Sequence, residues 1–302
     1  MQQARQGIGF TLLLWLWLFG LAAQAEPQIT FLPAAQESMD RGLLWQISSA
    51  QGKTSYLFGT IHVDDPAVIN LPTPVSSAFN RCDSLTLELL PNPDLAQQSI
   101  GIMLFQDGRT LASVAGNDIA RRSVQALAAR GMPRDMVMRM KPWAVMVTLS
   151  VPENNTGQFL DFRLYERAIK RGMHTHALET YTEQVGIFDA MSMREQTRLL
   201  ENTLDELDTL PGFFRRLTQA WLTRDLKALQ AISDEQMPAD DPTSARLMHD
   251  LVDKRNRNML ERIQPRLREG NAFIAVGALH LPGEEGLINL LRGQGYTVTA
   301  LY

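Results

Sequence analysis

"FIAVGALHL", residues 273–281, is an apolar run that closes on a glycine and a histidine three positions apart. The same pattern occurs far earlier in the chain as "YLFGTIHV", residues 56–63, where three apolar residues again precede the glycine. The chain has only five histidines in 302 residues, so two of them in one repeated frame indicate a shared role. The aligned positions are Gly59 with Gly277 and His62 with His280.

Each copy of this G-x-x-H pattern is predicted to end a buried strand, because it follows a continuous apolar run. The runs at 43–49 and 54–60 are separated by the turn signal Ala-Gln-Gly-Lys, which predicts a hairpin. Most later strand-like runs follow helices, which favours parallel pairing with both sheet faces covered. We therefore predict an α/β fold with a mostly parallel sheet, an N-terminal hairpin and a large helical insertion between the two G-x-x-H strands. The remaining predicted strands are 84–89, 173–180 and 296–302.

Helical periodicity fills most of the chain between the two copies. The longest such region is 181–269, which is broken by a polar, proline-bearing segment at 234–244. We interpret residues 26–302 as one domain, with the helices inserted into the sheet rather than forming a separate unit. The other predicted helices are 94–105, 117–130, 134–150, 157–172 and 284–293.

The first 25 residues have the three parts of a secretory signal. Arg5 supplies the basic region, an apolar run follows, and Ala-Gln-Ala at 23–25 has the small-x-small form of a cleavage site. The apolar run is shorter than the roughly 18–20 residues of a comfortable membrane span. We predict a signal peptide over 1–25 and a periplasmic or secreted protein after cleavage, with an uncleaved anchor as the alternative. Contact with the membrane is then expected only through this segment.

The charge and cysteine content of the chain limit the classes of partner and cross-link that it can have. The net charge is −4 with both signs mixed along the chain, so no basic patch argues for a nucleic-acid partner. Cys82 is the single cysteine, which excludes an internal disulfide framework. A peptide or small-molecule substrate is expected, and the oligomeric state stays open.

Four polar residues are predicted at the carboxyl ends of strands, where sites lie in open α/β sheets. They are His62, Glu88, Glu179 and His280. Imidazole and carboxylate groups suit a divalent ion such as Zn, Mn, Fe or Co, and an open coordination position could activate a water molecule. Each residue also has a structural explanation. A strand-end histidine is often a surface group, Glu88 could be a solvated strand end, and Glu179 could cap the helix that follows.

Other polar residues are weaker candidates. Arg255 lies in the run "KRNRN", which is typical of a solvated helix face, although an arginine there could bind a carboxylate. His174 and His176 point to one face of a strand but lie at its start, so we interpret them as structural. His249 is expected to be solvated or half-buried on a helix.

Taken together, these stretches resemble the TraB/GumN family, close to its bacterial YbaP-like branch. The resemblance covers most of the chain after the signal. It is carried by the paired G-x-x-H motifs, "SLTLEL", "FLDFRLYERAIKRGMHTHALET", "KRNRNM" and the C-terminal stretch "AFIAVGALHLPGEEGLINLLRGQGYTV". Relatives of this kind include the animal TIKI metal-dependent proteases and proteins associated with shutdown of peptide pheromone signals. The resemblance implies that His62, Glu88 and His280 belong to a metal site, while Glu179 and Arg255 fall in matching segments.

Three functions are compatible with this sequence. The first is an exported metal-dependent hydrolase acting on peptides, with Glu88 or Glu179 accepting the proton of the bound water and Arg255 facing the oxyanion. The second is a protein that binds or sequesters a peptide without cutting it. The third is an envelope interaction protein, favoured by a helical insertion that contributes nothing evident to chemistry.

Overall fold

A computed structural model describes residues 40–91, 100–151, 158–237 and 240–302. The predicted signal peptide over 1–25 and the segment that follows it to residue 39 lie outside the described residues. The first part of the helix predicted over 94–105 also lies outside them, and its residues 100–103 are helical.

The fold is built on one six-stranded sheet with the strand order β4-β3-β5-β2-β1-β6. Strands β2, β5, β3 and β4 run parallel to one another, while β1 pairs antiparallel with both β2 and β6. This confirms the predicted α/β class, the mostly parallel sheet and the N-terminal hairpin. Because the four parallel strands share a direction, their carboxyl ends lie along one edge of the sheet. The strands are β1 Leu44–Ser48, β2 Thr54–Thr60, β3 Ser84–Leu87, β4 His174–Ala177, β5 Ala272–Gly277 and β6 Thr297–Ala300.

Helices occupy most of the chain between β2 and β5, as the periodicity predicts. A π-helical turn, His249–Asp253, joins two of them without a break, and a short 3₁₀ turn, Ala278–His280, follows β5. The helices are α1 Pro66–Ile69, α2 Thr73–Asn80, α3 Leu111–Ala115, α4 Asn117–Ala128, α5 Arg134–Arg139, α6 Pro142–Leu149, α7 Leu160–Lys170, α8 Tyr181–Asp189, α9 Met193–Asp205, α10 Leu210–Leu222, α11 Leu226–Gln236, α12 Pro242–Met248, α13 Lys254–Glu269 and α14 Leu287–Gly293.

The single helical stretch predicted over 134–150 is wrong, because the structure has two helices there, α5 and α6. Lys141 precedes Pro142 and has extended backbone angles, φ −68° and ψ 150°. Proline disfavours the helical region for the residue before it, so the first helix must end and a second begin at Pro142.

The main hydrophobic core surrounds the central strands. Strand β5 is buried from Ala272 to Val276, which explains its unbroken apolar sequence. A second hydrophobic cluster includes Trp143 and joins α3, α4, α5 and α6 to residues of α8 and α9. The helical insertion therefore has apolar packing of its own beside the sheet. Among the helices in the described ranges, none has both the length and the apolar character needed to cross a bilayer.

Candidate functional site

The carboxyl edge of the parallel strands carries all four predicted strand-end residues. Strand β3 ends one residue before Glu88, and β4 ends two residues before Glu179. The Glu179 backbone N–H donates to the Glu88 carbonyl at 2.9 Å, so the two segments that follow β3 and β4 still run side by side here. His62 follows β2 by two residues, and His280 closes the 3₁₀ turn after β5. Parallel pairing therefore brings the predicted residues to one edge of the sheet.

The two glycines of the repeated motif provide space rather than an unusual backbone angle. The Gly277 N–H donates to Glu88 Oε1 at 2.6 Å, and a Cβ at Gly277 would lie 3.3 Å from that oxygen. A Cβ at Gly59 would lie 2.7 Å from Leu281 Cδ1 and 3.1 Å from the Ala278 Cα. Each glycine thus allows a close approach, of a carboxylate at Gly277 and of the turn after β5 at Gly59.

His280 is buried between two polar partners. Its Nδ1 lies 2.7 Å from Asn256 Oδ1, and its Nε2 lies 3.7 Å from Glu88 Oε1. Burial lowers the pKa of His280, since the charged ring loses its hydration, although the nearby Glu88 carboxylate acts in the opposite direction. The neutral ring is therefore favoured, and Nε2 faces a carboxylate oxygen.

His62 has a different environment from its counterpart in the repeat. Its side chain is 59% exposed, it packs beside Phe159 with ring centroids 5.1 Å apart, and its Nε2 lies 3.4 Å from Asp161 Oδ2. Asp161, in the first turn of α7, is buried and accepts a hydrogen bond from the Thr60 hydroxyl through Oδ1 at 3.0 Å. Asp161 Oδ2 has no hydrogen-bond donor. Burial raises the pKa of Asp161, and the charge of Glu88 adds to this effect while His62 opposes it.

Arg255 joins the two glutamates in a buried charge cluster. Its Nε donates to both Glu179 oxygens at 3.0 Å, and its Nη2 donates to Glu179 Oε2 at 2.7 Å and to Glu88 Oε2 at 2.6 Å. Gln184 Nε2 bridges the same two carboxylates, at 3.2 Å from Glu88 and 3.0 Å from Glu179. Burial acts to raise the pKa of Glu88, but His280, Arg255 and its other neighbours lower it to about 2. Both carboxylates are thus held close to a guanidinium that compensates their burial.

The predicted site residues form one connected group with an outer member. Glu88 contacts His280 and Arg255, and Arg255 contacts Glu179. His62 influences the pKa of Glu88 and of His280 through its charge, but its close contact is with Asp161. Across the described ranges, no three His, Cys, Asp or Glu side chains converge closely enough to hold a metal ion. The arrangement is two histidine–carboxylate pairs rather than a closed ligand set.

The chemistry of these donors nevertheless fits a divalent ion. One pair presents the His280 Nε2 to Glu88 Oε1, and the other presents the His62 Nε2 to Asp161 Oδ2. A buried carboxylate oxygen without a donor, as at Asp161, is unusual, and a proton, a water molecule or a cation can satisfy it. The nitrogen and oxygen types are those that bind zinc and related transition metals.

Three polar residues at the site were missed as site candidates from the sequence. Asp161 lies in the apolar run "FLDFRLY" at the start of a helix, where an acidic residue ordinarily complements the helix dipole. Asn256 lies in a charged run typical of solvent exposure, yet it is fully buried. Gln184 shows no pattern that marks it. Only contacts across the fold distinguish these residues from surface residues.

The three remaining histidines lie outside this group, as predicted. His249 is half exposed, with Nδ1 3.2 Å from Asp253 Oδ2. His174 begins β4 and is exposed, while His176 Nε2 lies 2.7 Å from Arg266 Nη1. Neither contact involves Glu88, Glu179 or His280, and in the part of the chain that the structure describes these histidines join no group of potential metal ligands.

Comparison with known proteins places the chain among a defined set of relatives. The family model described as "TraB/PrgY/gumN family" matches residues 43–300. Metalloprotease TIKI2 of Danio rerio is 24% identical over 321 residues, covering 88% of this chain and 62% of the relative. Metalloprotease TIKI2 of Xenopus tropicalis is also 24% identical, with 88% and 61% covered, and the metalloprotease TIKI homolog of Amphimedon queenslandica is 24% identical, with 85% and 61% covered. The match thus spans somewhat over three fifths of the length of these relatives. No solved structure matches the chain.

Proposed function

The chain belongs to the TraB/PrgY/gumN family, and from this premise we propose that it is an exported metal-dependent hydrolase that acts on peptides. The observation that carries the proposal is the buried pair of His280 and Glu88, in which Nε2 faces Oε1 at 3.7 Å. The pair lies beside a second one, formed by His62 and Asp161. Relatives named as metalloproteases support this choice of chemistry.

The metal donors proposed are the His280 Nε2, the Glu88 Oε1 and the His62 imidazole. When bound, a divalent ion such as Zn, Mn, Fe or Co would supply Lewis acidity and lower the pKa of a bound water molecule. The half-exposed side chain of His62 lies on the solvent side of this group, which gives a substrate a route of approach. The Gly277 N–H holds the Glu88 carboxylate in place beneath His280.

The proton acceptor proposed is Asp161 rather than Glu179. Both Glu179 oxygens already accept hydrogen bonds from Arg255, whereas Asp161 Oδ2 has no donor. A base must have a free lone pair within reach of the proton that it removes. Glu179 and Arg255 are better suited to positioning, since Arg255 keeps Glu88 ionised and Glu179 holds the Arg255 guanidinium in place. Arg255 uses Nε–H, both N–H bonds of Nη2 and one of Nη1 within the fold, which leaves little for an oxyanion.

A peptide-binding protein without catalysis is the second candidate. The observation that favours it is that no group of three potential ligands converges in the described part of the chain. A binding groove, however, can be made from apolar residues and backbone donors, and it has no need of two adjacent histidine–carboxylate pairs.

Metal content and peptide cleavage together test the proposal. Protein loaded with Zn, Mn, Fe or Co is incubated with a peptide library, and products are identified by mass spectrometry. We expect cleavage by the wild type and loss of both cleavage and bound metal in His280→Ala and His62→Ala. The matched control is His174→Ala, which removes an exposed histidine from the start of β4.

Each other outcome has a distinct meaning. Equal cleavage by all four proteins would identify a contaminating protease and overturn the proposal. Wild-type protein that retains particular peptides without cutting them, while His280→Ala does not, would establish the binding protein instead. Full metal content in both site variants would leave the two histidines with a structural role.

Export is proposed separately from the chemistry. The segment 1–25 would direct the chain across a membrane and be removed after Ala25, leaving a periplasmic or secreted protein. The intact mass of protein recovered from the cell envelope measures this directly. A mass that includes residues 1–25 would mean an uncleaved anchor and would overturn the cleavage step.

A further inference from the structure

Asn256 has a buried side-chain amide, and both its nitrogen and its oxygen form hydrogen bonds. It lies in α13, directly after Arg255, and its side chain is fully enclosed. Its Nδ2 donates to the backbone carbonyl of Glu285 at 2.8 Å, and its Oδ1 lies 2.7 Å from the His280 Nδ1. Asn256 thus connects the histidine turn to the loop that precedes α14.

These two contacts determine which ring nitrogen of His280 carries a proton. The Glu285 carbonyl can only accept a hydrogen bond, so the amide nitrogen of Asn256 must face it. The amide oxygen therefore faces His280, and it can only accept, so Nδ1 must carry the hydrogen. In the neutral ring the other nitrogen, Nε2, then has its lone pair free.

The free lone pair of Nε2 is directed toward another acceptor. Nε2 lies 3.7 Å from Glu88 Oε1, and that oxygen already accepts from the Gly277 N–H at 2.6 Å. No hydrogen bond can join two acceptors, so the neutral ring and the carboxylate present facing lone pairs that a proton or a metal cation would satisfy. His280 Nε2 and Glu88 Oε1 would be the atoms that hold such a cation, and the hydrogen bond from Nδ1 would fix the ring orientation.

We propose that Asn256 is a positioning residue that holds His280 as its Nδ1–H tautomer and thereby selects Nε2 as the coordinating nitrogen. The inference rests on the proposed function for its consequence, metal binding, but the tautomer itself is a property of the metal-free protein. Removal of the amide should release the ring to the alternative tautomer and weaken metal binding by about 10- to 100-fold.

The first experiment measures the tautomer without any substitution in the amide. Protein with ¹⁵N-labelled histidine is prepared metal-free, and the His280 ring signals are assigned by their absence in His280→Gln. We expect the neutral ring to show a protonated Nδ1 and an unprotonated Nε2. A neutral ring protonated mainly on Nε2 would overturn the inference, whatever any variant does.

The second experiment measures metal affinity by competition with a chromophoric chelator. Asn256→Leu should weaken Zn²⁺ binding and change the ring signals, while Asn256→Asp keeps an acceptor and should retain the Nδ1–H tautomer. Asn258→Leu is the matched control, because Asn258 is an exposed asparagine in the same helix. Unchanged affinity and ring signals in a folded Asn256→Leu would overturn the role of Asn256.

The two proposals can fail separately. If the wild type shows the Nδ1–H tautomer and Asn256→Leu loses it, but the wild type binds none of the ions, the metal-dependent function fails and the control of the tautomer by Asn256 stands. If the wild type binds metal while its neutral apo ring is protonated on Nε2, the function survives and the role of Asn256 fails.

Discussion

The buried guanidinium of Arg255 offers the sharpest thermodynamic test of how the site is held together. The side chains of Arg255, Glu88 and Glu179 are only 13%, 12% and 3% exposed. Arg255→Met keeps most of the side-chain volume but leaves two adjacent carboxylates without their cation. Gln184 and the Gly277 N–H remain as donors, so the carboxylates keep part of their hydrogen bonding.

The expected loss is large for a single substitution. Removing one partner of a buried ion pair destabilises a protein by about 3–5 kcal/mol, because the remaining charge stays buried and uncompensated. A domain of this size loses about 2–4 °C in Tm for each kcal/mol, so we expect a Tm lower by roughly 6–20 °C for Arg255→Met. Urea denaturation followed by circular dichroism, at neutral pH and without added metal, measures the free energy of unfolding.

Two comparisons give this prediction its meaning. Arg257→Met is the matched control, since Arg257 lies in the same helix but forms an exposed pair with Glu285, and exposed pairs contribute little. The double variant Arg255→Met with Glu179→Gln removes one of the stranded charges and should recover part of the loss, as expected for directly coupled residues. The reasoning is refuted if Arg255→Met destabilises no more than Arg257→Met, or if Glu179→Gln adds to the loss instead of relieving it.

The remaining predictions concern the motif glycines and the buried thiol. Gly59→Ala should destabilise the fold by about 1–3 kcal/mol, because a Cβ there would overpack the core. Gly186→Ala, in a helix with open space around the glycine, should stabilise the fold by about 0.5–1 kcal/mol. Urea denaturation of both variants measures the two free energies of unfolding, and equal effects would contradict the prediction. Gly277→Ala should leave the protein folded but displace the Glu88 carboxylate and weaken metal binding; chelator competition with unchanged affinity would contradict it. Burial raises the pKa of the Cys82 thiol from 9.0 to about 12 in the folded protein. The contribution of the neutral thiol to the free energy of unfolding is therefore fully present below pH 9, and it is lost as the pH rises toward 12. A thiol reagent should therefore modify Cys82 at neutral pH only under unfolding conditions, and rapid reaction of the native protein would contradict this.

The sheet and its carboxyl edge were predictable because their causes are local. Strands β2 and β5 are continuous apolar runs, and a strand followed by a helical connection pairs in parallel. Once β2 and β5 are parallel neighbours, their ends must lie at the same edge, so the two G-x-x-H motifs had to meet there. The register places Thr60 opposite Gly277. The glycine of the second motif therefore lies beside the residue that follows Gly59, the glycine of the first motif.

The unequal environments of the two histidines were not predictable from their identical frames. His280 is enclosed because it lies in a 3₁₀ turn that packs against α13, where its Nδ1 contacts Asn256 Oδ1. His62 has no such turn after β2 and remains half exposed beside Phe159. The difference arises from partners supplied by distant segments, and a local pattern carries no information about them.

Separation along the chain also explains why Asp161 and the contacts of Arg255 escaped prediction. The hydrogen bond between Thr60 and Asp161 joins residues 101 positions apart, and the bond between Arg255 and Glu88 joins residues 167 positions apart. Each residue has an ordinary local explanation: Asp161 is an acidic residue in the first turn of a helix, and Arg255 is one of several basic residues on a helix. The π-helical turn before α13, which accepts a hydrogen bond from Arg255 through the Leu251 carbonyl, has no sequence signature either.

The helical insertion has a different significance from the one its length suggests. From the sequence it contributes nothing to chemistry, and it therefore favoured an interaction protein whose motifs only hold the sheet together. In the structure the insertion supplies Asp161 from α7, Gln184 from α8, and Arg255 and Asn256 from α13, all of them in contact with strand-end residues. A sheet that needed only mechanical support from its two motifs would have no use for charged and amide side chains buried at its edge, since apolar packing avoids the desolvation penalty of buried ions. The polar contribution of the insertion is explained if the edge is built to orient ligands, and that is why the metal-dependent hydrolase is preferred over the interaction protein.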